Sequence, residues 1–240
     1  MDRVASDQAA GDRNGGASVG LTAGSFGRET DPRTAEMATP RRSGSIRGVT
    51  SSPQPAQDEA APDPVSQPSE YRDMLLGLLG DDDPSSVQRA TVSELRGLVF
   101  GDWLALELRM PPADGEWSMI QLLGHFVDAE LVAAARYRWI VAHDTPSLAP
   151  YDQDLWVERL RHQEAGPAEL LDLFSALRRA NLAMWERIPA EERSRYGMHE
   201  ERGAESYEVT FRMLAGHDRF HLDQARRTVE AVIAKRPESA

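Results

Sequence analysis

MLAGHDRFHLDQARRT, residues 213–228, carries two histidines four positions apart in a segment whose apolar residues recur at helical spacing. His217 and His221 therefore sit one turn apart on a single helix face. Met213, Leu214, Phe220, Gln224 and Thr228 share that stripe, so the face expected to enter a core is the face that bears the imidazoles. A buried neutral imidazole needs partners for both ring nitrogens, and an unpaired buried polar group costs roughly 1–3 kcal/mol. An ion shared between the two rings would satisfy one nitrogen of each. The pattern predicts a final helix from about Tyr207 to Ala234.

Working back from that helix, the chain reads as four long helices with loops between them. Ser118 followed by Gln121 has the spacing of a capping box, and predicts a helix from Met119 to about Ala142. Gly166-Pro167 opens another, with Leu170, Leu173, Phe174, Leu177, Met184 and Ile188 at helical period until Pro189 ends it. A third stretch, about Ser85 to Leu106, carries Val87, Leu95, Leu98, Val99, Trp103 and Leu106, although Thr91 and Gly97 interrupt it. Shorter helices are expected from Ser69 to Leu79 and from Asp152 to Arg161. No segment alternates at period two over a useful length, so a sheet-based fold is not expected. The predicted architecture is all-α: an antiparallel four-helix bundle over residues 69–238, whose facing side chains build the core and any ion site.

Residues 1–68 are different in kind. GDRNGGASVG and SSPQPAQDEAAPDP offer too little apolar surface to offset the entropy of ordering them. This stretch is expected to be a disordered tail: a docking element, a solvated extension, or translation from a start upstream of a true one at Met37 or later.

Composition narrows the functions. The chain has no cysteine, which excludes disulfides, thiolate ligands and a protein thiol nucleophile. Its net charge of −12 and the lack of a basic stripe argue against nucleic acid as a partner. No window approaches the length of apolar chain that spans a bilayer, and no secretory leader is apparent, so the expected compartment is the cytoplasm.

A third ligand for an ion on His217 and His221 is His125, in LLGHFVDAE near the start of a helix able to pack beside the last one. Three neutral histidines leave open positions on zinc, nickel or a similar divalent ion, as in catalytic sites. Spacing alone leaves open that these are separately satisfied core histidines. Asp128, Glu130, Asp218 and Gln224 are the candidates to hydrogen-bond the outer nitrogens of the ligands. His143, His162 and His199 fall in or beside loops, where exposure is expected. Arg136, Arg138, Arg219 and Arg226 are expected to pair with the many carboxylates rather than with an anionic substrate. Trp117 reads as a helix-entry anchor, and Tyr151 and Trp156 as fasteners of the long connection.

EWSMIQLLGHFVDAE, then YDQDLW, then AGHDRFHLDQ together resemble, in order and spacing, the DinB-like superfamily of four-helix-bundle metalloproteins. The resemblance spans about Tyr71 to Ile233. It implies one ligand on the second bundle helix and an HxxxH pair on the fourth, which map onto His125, His217 and His221, and it includes the HxxDxE pattern through Glu130. It further implies a divalent ion, often zinc or nickel, and frequently a homodimer. Characterised members include bacillithiol S-transferases and mycothiol-dependent maleylpyruvate isomerases. The resulting expectation is a metal-dependent enzyme acting on a small molecule, with a low-molecular-weight thiol as a possible cosubstrate. The alternatives are a hydrolase that activates water on the ion and a non-catalytic metal-binding or interaction protein.

Overall fold

The computed structural model describes residues 61–101 and 105–237; the expected tail therefore lies outside the described residues up to position 60. The Asp63 carboxylate accepts hydrogen bonds from the backbone N–H groups of Val65 and Ser66, closing a turn ahead of the first helix. That helix, α1 (Pro68–Leu79), begins with proline at its first position, where the missing N–H costs nothing.

Six helices form: α1, α2 (Pro84–Val99), α3 (Met119–Ala142), α4 (Gln153–Arg159), α5 (Pro167–Arg187) and α6 (Tyr207–Ile233). Each of the three longest starts within a residue of its expected position. Ser118 and Gln121 make the reciprocal capping box of α3, and the Ser206 side chain accepts from Val209 N–H at the start of α6. The second helix is shorter than expected. It stops at Val99 instead of Leu106, because Phe100 leaves helical geometry and glycines at 97 and 101 weaken the propensity to continue.

The fold is the four-helix bundle, built from α2, α3, α5 and α6. Helix α6 packs between α2 and α3, and α5 packs between the same two on the opposite side. Contacts between α3 and α6 descend along one chain as they ascend along the other, from His125 with His221 to Tyr137 with Tyr207, so these helices are antiparallel. By contrast, Phe126 meets Phe174 and Glu130 meets Arg178, so α3 and α5 run the same way. Parallel neighbours need a long return, and the connection through α4 supplies it.

That return also forms structure the sequence did not predict. Ser147–Leu148 (β1) pairs in parallel with Tyr196–His199 (β2), which forms a hairpin with Gly203–Ser206 (β3). Strands of two to four residues are too short to display a period, and Gly203, at φ 75°, takes the left-handed conformation entering β3. The small sheet lies beside the C-terminal part of α3 and leads directly into α6.

Among the described residues, no helix is long and apolar enough to cross a membrane. The bundle core is Leu95, Leu122, Phe126, Leu171, Phe174 and their neighbours at one end, and Tyr137, Trp185, Tyr207 and Phe211 at the other.

Candidate metal centre

The capping box fixes where α3 starts, and thereby places His125 in its second turn, facing α6. His217 and His221 face it from one turn and the next. All three are buried, with 1%, 8% and 2% of their surface exposed. His125 Nε2 lies 2.9 Å from His217 Nε2 and 3.2 Å from His221 Nε2. Three nitrogens bound to one ion at 2.0–2.1 Å in tetrahedral directions would stand about 3.3 Å apart. Burial pushes the pKa of each ring down, that of His221 to about 4, so all three are neutral and carry a lone pair near neutral pH. Three neutral imidazoles cannot all satisfy one another at a single point, whereas one cation accepts all three lone pairs. The donor set fits a divalent metal ion, and the three histidines are the group among the described residues that could hold one.

Of the four residues expected to support the ligands, one does. His221 Nδ1 donates to Gln224 Oε1 at 2.8 Å, which leaves the Nε2 lone pair directed at the cluster. The other three are engaged elsewhere. Asp128 bonds His162 Nε2 on the return connection at 2.7 Å rather than any of the three ligands. Burial raises the pKa of Asp128, and the contact with His162 opposes that rise. Glu130 and Asp218 both turn away from the imidazoles to Arg178, which is fully buried. A residue next to a ligand on a helix points about 100° away from it, so adjacency in sequence does not make a partner. The Nδ1 atoms of His125 and His217 have no hydrogen-bond partner among the described residues.

Arg178 holds together the polar layer behind the site. It donates to Asp218 through Nη1 at 2.5 Å and Nη2 at 3.0 Å, to Glu130 Oε2 through Nε at 2.8 Å, and to the Gln88 carbonyl at 2.8 Å. Thr91 adds a bond to Asp218, and Asn181 one to Glu130. Burial works against the Arg178 charge, but the two carboxylates outweigh it and raise its pKa. Burial also pushes Asp218 up to about 6, against the pull of Arg178. One residue from α5 thus binds α2, α3 and α6 just behind the histidines. Sequence reading missed it, because Leu177-Arg178-Arg179 looks like any solvated helix face.

Two glycines immediately precede ligands. A Cβ on Gly124 would lie 2.3 Å from the ring of His162, and one on Gly216 would lie 1.9 Å from the Leu75 carbonyl oxygen of α1. Each lets a neighbouring element settle against the helix where it presents a histidine. His162 and His199, expected to be exposed, are buried for related reasons: the return connection lays His162 on Gly124, and the hairpin brings His199 against α3. His143 is exposed, as expected. Trp117 reaches further than helix entry, packing against His125 and His221 with ring centroids 5.0 and 6.4 Å away. Tyr151 and Trp156 pack on each other.

The model of the DinB superfamily matches residues 89–225, a span that holds all three histidines, the whole of α3 and most of α6. This chain belongs to the DinB superfamily. Within that superfamily it is similar to YfiT of Bacillus subtilis (strain 168), named as a candidate metal-dependent hydrolase, at 30% identity over 71 residues. That stretch is 30% of this chain and 40% of YfiT. A protein of Geobacillus thermodenitrificans (strain NG80-2), also named as a candidate metal-dependent hydrolase, is 31% identical over 52 residues, or 22% of this chain and 29% of that one. These alignments thus span less than half the length of either relative. The solved structure of YfiT, described as a four-helix bundle of unusual topology, superimposes with a TM-score of 0.56 at 18% identity, covering 74% of this chain and 91% of YfiT. That likeness confirms the fold.

Proposed function

We propose that this DinB superfamily member is a metal-dependent hydrolase of small molecules, with a divalent ion, zinc or nickel, held by His125, His217 and His221. The observation that carries the reading is the convergence of three buried Nε2 atoms from two helices. The names of the two relatives support it. Three protein ligands leave a coordination position open for chemistry. When bound, such an ion supplies Lewis acidity, polarising a carbonyl and easing loss of a proton from water near neutral pH.

The chain's own residues do the rest. Gln224 orients His221, burial keeps the rings neutral, Trp117, Phe126 and Phe220 pack around them, and the cavity beside His217 gives a substrate a way in. Transfer of a small-molecule thiol, the other chemistry the family resemblance implies, would use the same ion. With no cysteine in the chain, that thiol would have to arrive as a cosubstrate.

The test is metal content by mass spectrometry, joined to hydrolysis of p-nitrophenyl esters with and without added glutathione. About one ion per chain in the wild type, lost in His217→Ala and His221→Ala together with thiol-independent turnover, is the expected result. Turnover that requires the thiol would favour transfer. A wild type that takes up no ion after reconstitution would sink both.

A further inference from the structure

A cavity of about 110 Å³ lies beside the histidine cluster, touching His217 at the seam of α3 and α6 and extending to the β2–β3 hairpin. Arg136 lines it, eleven residues beyond His125 on α3. Eleven residues are within about 20° of three full turns, so Arg136 lies on the same face as the ligand, about 16 Å further along the axis.

Arg136 and Arg138 depart from the expectation that the arginines pair with acids; Arg138 instead donates to the Ala134 carbonyl at 2.7 Å and to Asn181 Oδ1 at 3.2 Å. Arg219 bonds Asp82 and Arg226 bonds Glu94, and Arg202 makes two bonds to Glu205, at 2.9 Å each. Arg136, only 9% exposed, has no carboxylate partner among the described residues. Its Nη2 donates to the Ala149 carbonyl at 2.7 Å, and its buried Nε has no partner among the described residues. Burial, with Arg202 nearby, pushes its pKa down, and Glu205, itself held by Arg202, only partly opposes this. Glu201, the other acid on the lining, is exposed at the rim.

His199 points to the same conclusion. Its Nδ1 faces the Glu201 N–H at 3.2 Å, and its Nε2 faces Arg136 Nη2 at 3.2 Å. A neutral imidazole accepts at only one nitrogen, so one of these two donors is opposed by an N–H. If Nε2 carries the proton, Nδ1 accepts from Glu201 and the conflict falls on Arg136. An anion in the cavity removes it, accepting from His199 Nε2–H and from Arg136 together.

We infer that Arg136, with His199, binds a carboxylate at the end of the substrate remote from the group that reacts at the histidine cluster. This deepens the hydrolase proposal and rests on it: the substrates are elongated acids that also bear an ester or amide. A carboxylate suits the site because the guanidinium and imidazole donors present a small, largely enclosed pair of contacts.

Isothermal titration with glutarate, its neutral diamide and inorganic phosphate tests this on the full chain, zinc-loaded and metal-free, with zinc content measured on every sample. Glutarate is expected to bind both forms and the diamide neither, with affinity at least tenfold weaker in Arg136→Met and intermediate in Arg136→Lys, zinc content unchanged. Arg136→Lys keeps a donor for Ala149, so it serves if the methionine variant does not fold. Undetectable glutarate binding, binding unaffected in both variants, or binding that disappears with the metal would overturn the inference. Arg136-dependent phosphate binding tighter than glutarate would overturn the carboxylate assignment. A wild type that binds glutarate through Arg136 but holds no zinc would retire the hydrolase proposal and leave the anion site standing.

Discussion

At the scale of single residues, the fold depends most on Arg178. It neutralises one of two carboxylates sealed behind the histidines, so the layer carries one positive and two negative charges. Removing one partner of a buried ion pair leaves an uncompensated charge, at a cost of about 3–5 kcal/mol. Arg178→Met is therefore expected to lower stability by that amount, measured by urea unfolding. Asp218→Asn, which removes the excess negative charge while keeping a polar group, should cost less. If Arg178→Met unfolds at the wild-type urea concentration, the layer is not what ties the helices together. The same layer limited what the sequence could say about the site. His217 and His221 announce themselves by spacing, and Gln224 by its place on their stripe. Arg178 and Arg136 do not, because their roles come from residues forty or more positions away, or, for Arg136, from the nearby Glu205 being taken up by Arg202.

At the scale of elements, legibility followed length and punctuation. Helices α3, α5 and α6 carry a cap or an opening proline and several turns of apolar period, so local physics alone places them. The strands do not, since β1 exists only because β2 lies beside it, and β2 only because the hairpin folds back. The burial of His162 and His199 was hidden for the same reason. The packing of α1 offers a sharp contrast between two glycines. Gly216→Ala drives a Cβ into the Leu75 carbonyl, a backbone atom that cannot yield without moving α1, and should destabilise by about 1–3 kcal/mol. Gly77→Ala, inside α1 with nothing within 4 Å of the new methyl, should stabilise by about 0.5–1 kcal/mol. Thermal melting of the two variants should move in opposite directions. A shift of the same sign in both would show that α1 does not rest on α6 as described.

At the scale of the whole molecule, the histidines set the response to acid. In the metal-free chain, burial lowers the pKa of His125, His217, His221 and His199, the last two to about 4, from an unfolded value near 6.5. Between those values the unfolded chain binds more protons than the folded one, so stability is present above about 6.5 and drains away as pH falls toward 4. For His221 alone the loss is on the order of 3 kcal/mol. Asp218, raised to about 6, and Asp128 and Asp154, also raised, work the other way as pH falls toward 3.8, but they are three groups against four and the imidazoles begin to titrate at higher pH. Urea unfolding at pH 7, 6 and 5 should therefore show a steady decline in the metal-free protein. Stability that stays flat over that range would mean the imidazoles are not held neutral by burial.

The depth of the three ligands also bears on time. A bound ion would be held by side chains that water barely reaches, and the way in is the cavity beside His217 that a substrate would use, with Tyr71 and Leu75 of α1 forming part of its wall. A chelator would have to come by that same way, so a small molecule filling the cavity would slow the loss of a bound ion.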